Sequence, residues 1–178
     1  MVKIRNRTYA LSICAMFTAV TAVLSQISVP LPFTPVPINL ATFAVLVAGG
    51  LLGPVYGAVS LTVYAALGAV GLPVFAQFSG GVGIILGPTG GYILGYISAA
   101  WLTGFLINRL PKAIWSSVLA MSAGMLSCYL LGTAWFVVQQ KVDLLAALGM
   151  CVVPFLIGDG IKIVLAAFTV KAVTRFVH

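Results

Sequence analysis

Between Arg7 and Arg109 the chain carries no charged side chain. That feature excludes an ordinary water-soluble domain, in which about a quarter of residues are charged. The runs within this stretch are apolar all round, and such helices lie either in a protein core or in a bilayer. A core of that size would need a polar shell, and the rest of the chain cannot supply one: of 178 residues 62% are hydrophobic and 6% charged. A spanning helix takes about 20 residues, so the chain has room for roughly six. A transmembrane barrel would alternate polar and apolar positions, and these runs do not. The expected fold is all-α: a polytopic membrane protein of six transmembrane helices, one membrane-embedded domain over 1–178.

The breaks set the expected spans at about 8–29, 38–52, 55–70, 87–108 and 113–138, with a last apolar run from about 144 to 172. Gly53-Pro54 separates the second from the third. Small residues recur at intervals of four: Ala15 and Ala19; Gly49, Gly53 and Gly57; Gly87, Gly91, Gly95 and Ala99; Gly124, Cys128 and Gly132. Small-xxx-small stripes let helix backbones approach closely. Two connections are unusual. Pro30-Leu31-Pro32-Phe33-Thr34-Pro35-Val36-Pro37 predicts stiff extended or polyproline backbone. Residues 71–83 are broken by glycine and proline yet still apolar, which predicts a re-entrant or capping loop, since irregular backbone at membrane depth must be buried in protein or line a cavity. Gly80-Gly81 would let that backbone approach a ligand.

The net charge is +7, but it does not mark a nucleic-acid binder, because the basic residues sit at the chain ends and in one short loop. With the N-terminus inside, the inner side holds Lys3, Arg5, Arg7, Arg109, Lys112, Lys171 and Arg175, and the outer side holds Lys141 beside Asp143. That positive-inside bias requires an even number of spans and puts both termini in the cytoplasm. Tyr9, Tyr56 and Trp115 then fall near inner ends, and Tyr92 and Trp135 near outer ends, as aromatic belts. The basic, then apolar, N-terminus has no small-residue cleavage site after it and is expected to remain as the first span. Cys14, Cys128 and Cys151 are widely spaced in apolar runs and are expected to be small core residues.

Much chemistry is excluded. No Walker phosphate cradle occurs, and the single histidine is the last residue, His178, so a His-based metal site or general base has no seat. An enzyme is not expected, nor a metal, nor a cofactor. What remains is Pro154-Phe155-Leu156-Ile157-Gly158-Asp159-Gly160-Ile161-Lys162. Asp159 is one of two acidic residues in the chain, and it shares a helix face with Lys162. An isolated charge at a membrane-helix centre costs roughly 2.5 to 3.5 kcal/mol, and such residues mark solute or ion sites. The pair is expected toward the middle of the last span, in a site opening outward. The residues alone leave three readings open: a solute-binding transport subunit, a self-sufficient proton-coupled carrier with Asp159 as its proton site, or a structural subunit in which the pair only ties helices together.

At these motifs the sequence resembles the BioY family, the biotin-binding S components of energy-coupling factor (ECF) transporters. The matching stretches are P-V-P-I at 35–38, L-G-P at 52–54, G-L-P-V-F-A at 71–76, G-G-V-G-I-I-L-G-P-T-G-G-Y at 80–92 and P-F-L-I-G-D-G-I-K at 154–162, leaving out mainly the fifth span. The resemblance implies a six-helix protein of the cytoplasmic membrane that binds biotin from outside with high affinity and has no ATPase of its own. Energy would come from a transmembrane coupling protein, met by Ala15 and Ala19 on the first helix, and two ATPase subunits. Another small carboxylate vitamin, or a stand-alone carrier, is the alternative. Asp159, Lys162, Asn39, Thr42, Phe75, Gln77 and Tyr92 are the expected ligand-binding residues, with Phe78 and Phe155 as further apolar wall. Where the family reads P-V-P-x-T-L-Q-T, this chain has Asn39 for the Thr and Ala41 for the Gln, so Asn39 or Gln77 is the expected replacement. Lys162 would meet the ligand carboxylate and Asp159 the ureido N–H groups; the other allotment has Asp159 only orienting Lys162.

Overall fold

The structure, a computed structural model, describes residues 6–111 and 113–176; Lys3, Arg5, Lys112 and His178 lie outside the described residues. The order is α1 (Arg7–Gln26), β1 (Ser28–Leu31), β2 (Thr34–Asn39), α2 (Ala41–Ala69), a 3-10 turn (Ala76–Phe78), α3 (Val82–Ile85), α4 (Gly90–Arg109), α5 (Ile114–Gln140), α6 (Leu144–Cys151), a second 3-10 turn (Val153–Phe155) and α7 (Leu156–Phe176).

The element α2 is a helical hairpin rather than one rod. Gly53 takes φ +79° and ψ −176°, backbone that only glycine adopts readily, and Pro54 starts the second arm where its missing N–H is harmless. A methyl group placed on Gly57 would lie 3.1 Å from the Cα of Gly49; in an unbroken helix eight residues would separate those positions by about 12 Å. The reversal makes six helical legs, α1, the two arms of α2, α4, α5 and α7. Cys14 meets Tyr56 and Thr18 meets Ser60, so α1 runs parallel to the second arm. Gly49 packs on Ala100 and Gly53 on Gly104, while Thr42 meets Lys162 and Gly50 meets Val170, so α4 and α7 run with the first arm. One end of the bundle therefore holds Arg7, Arg109, Lys171 and Arg175, and the other holds Lys141 and Asp143.

The small-residue stripes of α4 and α5 face each other. A methyl on Gly95 would lie 3.0 Å from Cys128 Sγ, and Gly91 and Gly124 abut Trp135 and the carbonyl of Ala99. Gly87 stands apart from the stripe, packed within the loop before α4. Leu46, Leu61, Tyr64 and Met121 are fully buried. Large apolar side chains on the outer faces, such as Leu130 on α5 and Ile157 and Phe168 on α7, are exposed, as lipid-facing helices require. Tyr9, Tyr56 and Trp115 are exposed at helix ends, but Tyr92 is buried and Trp135 turns inward to donate to Gly87 O at 2.9 Å; neither is a belt residue.

Two boundaries differ from expectation. The first helix stops at Gln26, not near 29: Val29 precedes a proline, which disfavours helix there, and of the two backbones expected for the proline-rich stretch it takes the extended one, as a two-stranded antiparallel hairpin. Its register pairs Ser28 with Asn39 and Val29 with Ile38, and slips before Leu31–Thr34, because Pro30 has no N–H to give the ladder. The last apolar run is also not one helix. Pro154 cannot continue α6, the chain turns through Val153–Phe155, and α7 begins afresh. Asp159 therefore sits in the first turn of α7, not toward the middle of a span, where the helix dipole favours a negative charge.

Candidate functional site

At the end of the bundle away from Arg7 and Arg109 lies a cavity of about 400 Å³, within the 300–1,000 Å³ usual for small-molecule sites. Thr42 and Tyr64, placed symmetrically about Gly53, both line it, which only the reversal of α2 allows. Asn39 reaches it from the end of β2, Phe75 and Gln77 from the segment before α3, Tyr92 from α4, and Asp159 and Lys162 from α7. The structure thus brings together every residue that the sequence nominated for ligand binding, and Phe155 with them. Phe78 is not among them: it is 73% exposed and points away.

The polar groups form one closed network. Lys162 Nζ donates to Asp159 Oδ1 at 2.8 Å, to the carbonyl of Asn39 at 2.6 Å and to Thr42 Oγ1 at 3.2 Å. An ammonium has three donors, so all are engaged. Thr42 passes its own proton to Asp159 Oδ1 at 3.2 Å, and Tyr129 O–H donates to Asp159 Oδ2. Burying an ion pair this deeply is tolerable because each partner is further hydrogen-bonded. Asn39 accepts the N–H of Ala41 on its side-chain oxygen at 3.1 Å, and its NH₂ is a donor at the cavity. Ala41, at the position of the missing Gln, is fully buried in the core and does not line the cavity.

Much of the remaining wall is apolar and aromatic, with Thr34, Gln77, Ser79 and Thr89 as further polar groups. Phe75 is buried, edge-on to Tyr64 with centroids 5.5 Å apart, and its ring lies over Gly68. The cap is fastened to the end of α1: Ser25 Oγ donates to Val74 O at 2.6 Å, Gln26 Nε2 to Pro73 O at 3.4 Å, and Gln26 Oε1 accepts from Phe78 N at 2.8 Å. Gln77 and Phe78 have φ of +60° and +53°, a conformation that costs a non-glycine residue energy and is held only by such surroundings. Gly80 does not line the cavity; a side chain there would strike the carbonyl of Leu72. On the far side Trp135 and Gln139 hold the carbonyls of Gly87 and Leu86.

Cys128 and Cys151, expected as core residues, are buried and free, and both also line the cavity. Sequence reasoning missed Tyr129 and Tyr96, which line it too. The signal was present. Tyrosines at belts stand near helix ends, whereas these lie mid-helix, where a buried O–H must find a partner.

A model of the BioY family matches residues 1–178. The chain belongs to the BioY family. It is 41% identical over 151 residues to a probable biotin transporter BioY of Pyrococcus horikoshii, covering 85% of this chain and 87% of that one. It is 40% identical over 153 residues to a biotin transporter BioY of Thermotoga maritima, with coverages of 85% and 88%. Among solved structures it matches, with TM-score 0.90 and 30% identity over 97% of this chain and 95% of the other, a crystal structure of the S-component for biotin from an ECF-type ABC transporter. This BioY-family chain thus has six helical legs and a capped cavity at one end of the bundle, in a fold it shares with that solved structure.

Proposed function

We propose that this chain binds biotin and serves its uptake across the cytoplasmic membrane as the substrate-specific subunit of an ECF-type transporter. The observation that carries the reading is the capped cavity with the Asp159–Lys162 network on its floor, in a fold that matches the biotin S-component at TM-score 0.90. Biotin has an apolar bicyclic body, a ureido group with two N–H donors and one carbonyl, and a carboxylate on a flexible chain. The polar floor suits the ureido end. With every Lys162 donor engaged, the free strong group there is an acceptor on Asp159 Oδ2, which takes a ureido N–H; Asn39 NH₂ serves the carbonyl. Lys162 orients Asp159, and the carboxylate lies toward the cap, near Ser79 and Thr89. Aromatic walls at Phe75, Tyr92 and Phe155 cover the body.

The basic end faces the cytoplasm, so the cavity opens outward and both termini lie inside. Ala15 and Ala19 are exposed on α1 while Cys14, Thr18, Thr21 and Ser25 turn inward; that free small-residue stripe suits close approach by a coupling protein, to which two ATPase subunits would supply energy. A proton-coupled carrier is disfavoured, because Asp159 is tied to a fixed cation and two hydroxyls. Equilibrium binding to the purified protein tests the reading: saturable biotin binding at one site per chain is expected, and no binding would overturn it.

A further inference from the structure

Among the groups on the cavity floor, Tyr129 belongs to α5, the span that the family-matching stretches leave out. Its phenol is buried, and it donates to the one Asp159 oxygen that neither Lys162 nor Thr42 uses. A carboxylate has about four acceptor positions, two on each oxygen. On Oδ1 both are taken, by Lys162 Nζ at 2.8 Å and Thr42 Oγ1 at 3.2 Å. On Oδ2 Tyr129 takes one. That leaves one acceptor position on Oδ2, on a residue that lines the cavity. Asp143, the other acidic residue, caps α6 through Leu145 N and offers nothing here.

We propose that Tyr129 is the positioning residue that sets donor specificity: by occupying half of Asp159 Oδ2 it limits the carboxylate to one ligand N–H and so selects a neutral ureido ring over a cationic, donor-rich guanidino ring. This rests on the reading of the cavity as a biotin site. A ureido ring presents an N–H beside a carbonyl, and one open acceptor next to the Asn39 NH₂ matches that alternation. A guanidino ring places an N–H where the carbonyl stood. It would need a second acceptor, and Tyr129 has filled it. Removing the hydroxyl opens that position, and two N–H groups of one guanidine can then reach Oδ2 together.

The test compares biotin with 2-iminobiotin, in which an imino N–H group replaces the ureido oxygen, on the unmodified protein and on Tyr129→Phe, by calorimetry under one set of conditions. The ratio of the two affinities should move at least about tenfold toward the imino ligand, since a bond to a charged group is worth upwards of about 1.4 kcal/mol, a factor of ten. A merely structural tyrosine would weaken both ligands alike, and an unchanged ratio overturns the proposal. On the unmodified protein, which needs no variant to fold, methylating each ureido nitrogen in turn should be unequal: loss of about a hundredfold for the nitrogen that meets Asp159 and less than tenfold for the other. Equal losses overturn it as well. If the unmodified protein binds no biotin, the parent reading falls and takes this inference with it; biotin binding with an unmoved ratio sinks the inference alone.

Discussion

Lys162 Nζ lies 2.6 Å from the backbone carbonyl of Asn39, so a charge on the last helix pins the junction where the β-hairpin enters α2. The same ammonium closes on Asp159 and Thr42. Lys162 is therefore a clamp between α7 and the first connection, with no donor left over.

Replacing this clamp gives the first prediction. Lys162→Met keeps most of the volume but strands Asp159 and the Asn39 carbonyl. Truncating one side of a buried pair costs roughly 2 to 5 kcal/mol. Biotin and biotin methyl ester should lose affinity equally, because neither places its carboxyl group at Lys162. Calorimetry with both ligands decides it; a loss confined to biotin would return Lys162 to the carboxylate.

The cap hangs from α1 through Ser25 and Gln26. Gln26→Leu removes its bonds to Pro73 and Phe78, each worth about 1 kcal/mol. Gln77 and Phe78 would then relax from their left-handed backbone and the cap would open more often. Dissociation of labelled biotin should accelerate by about five- to thirtyfold, the range that one to two kcal/mol spans. An unchanged off-rate would show that the cap does not limit release.

On α1 the exposed Ala15 and Ala19 face away from the cavity. Ala19→Trp adds bulk to that surface alone. Energised uptake should fall to background in cells or vesicles that hold the coupling protein and its ATPases, while biotin affinity stays within about twofold, since surface changes away from packed features usually stay within 0.5 kcal/mol. Parallel loss of binding would place the stripe against this chain's own core.

Sidedness is open to direct labelling. Phe33 at the hairpin turn and Gln77 on the cap are exposed, and the native cysteines are buried. Cysteines substituted at 33 and 77 should react with an impermeant maleimide from outside intact cells, and one at exposed Asn108 only after permeabilisation. The reverse pattern would invert the orientation.

The sequence by itself determined the class of fold, because charge and hydropathy act locally. The uncharged apolar helices between Arg7 and Arg109 have to lie in lipid however they pack, and Gly53-Pro54 has to break a helix whatever surrounds it. Asp159 and Lys162 were legible for the same reason: charges inside an apolar run are expensive in any arrangement. The tertiary structure decided what each charge touches. That Lys162 spends its donors on Asn39, Thr42 and Asp159, and that Tyr129 from α5 fills a position on the same carboxylate, depends on three segments far apart in the chain meeting at one point. Hydrogen bonding is short-ranged and directional, so it appears only once packing has set those distances. The pairing of the proline-rich stretch into a hairpin followed likewise from neighbours, since local propensity allowed more than one backbone there and tertiary contacts chose between them.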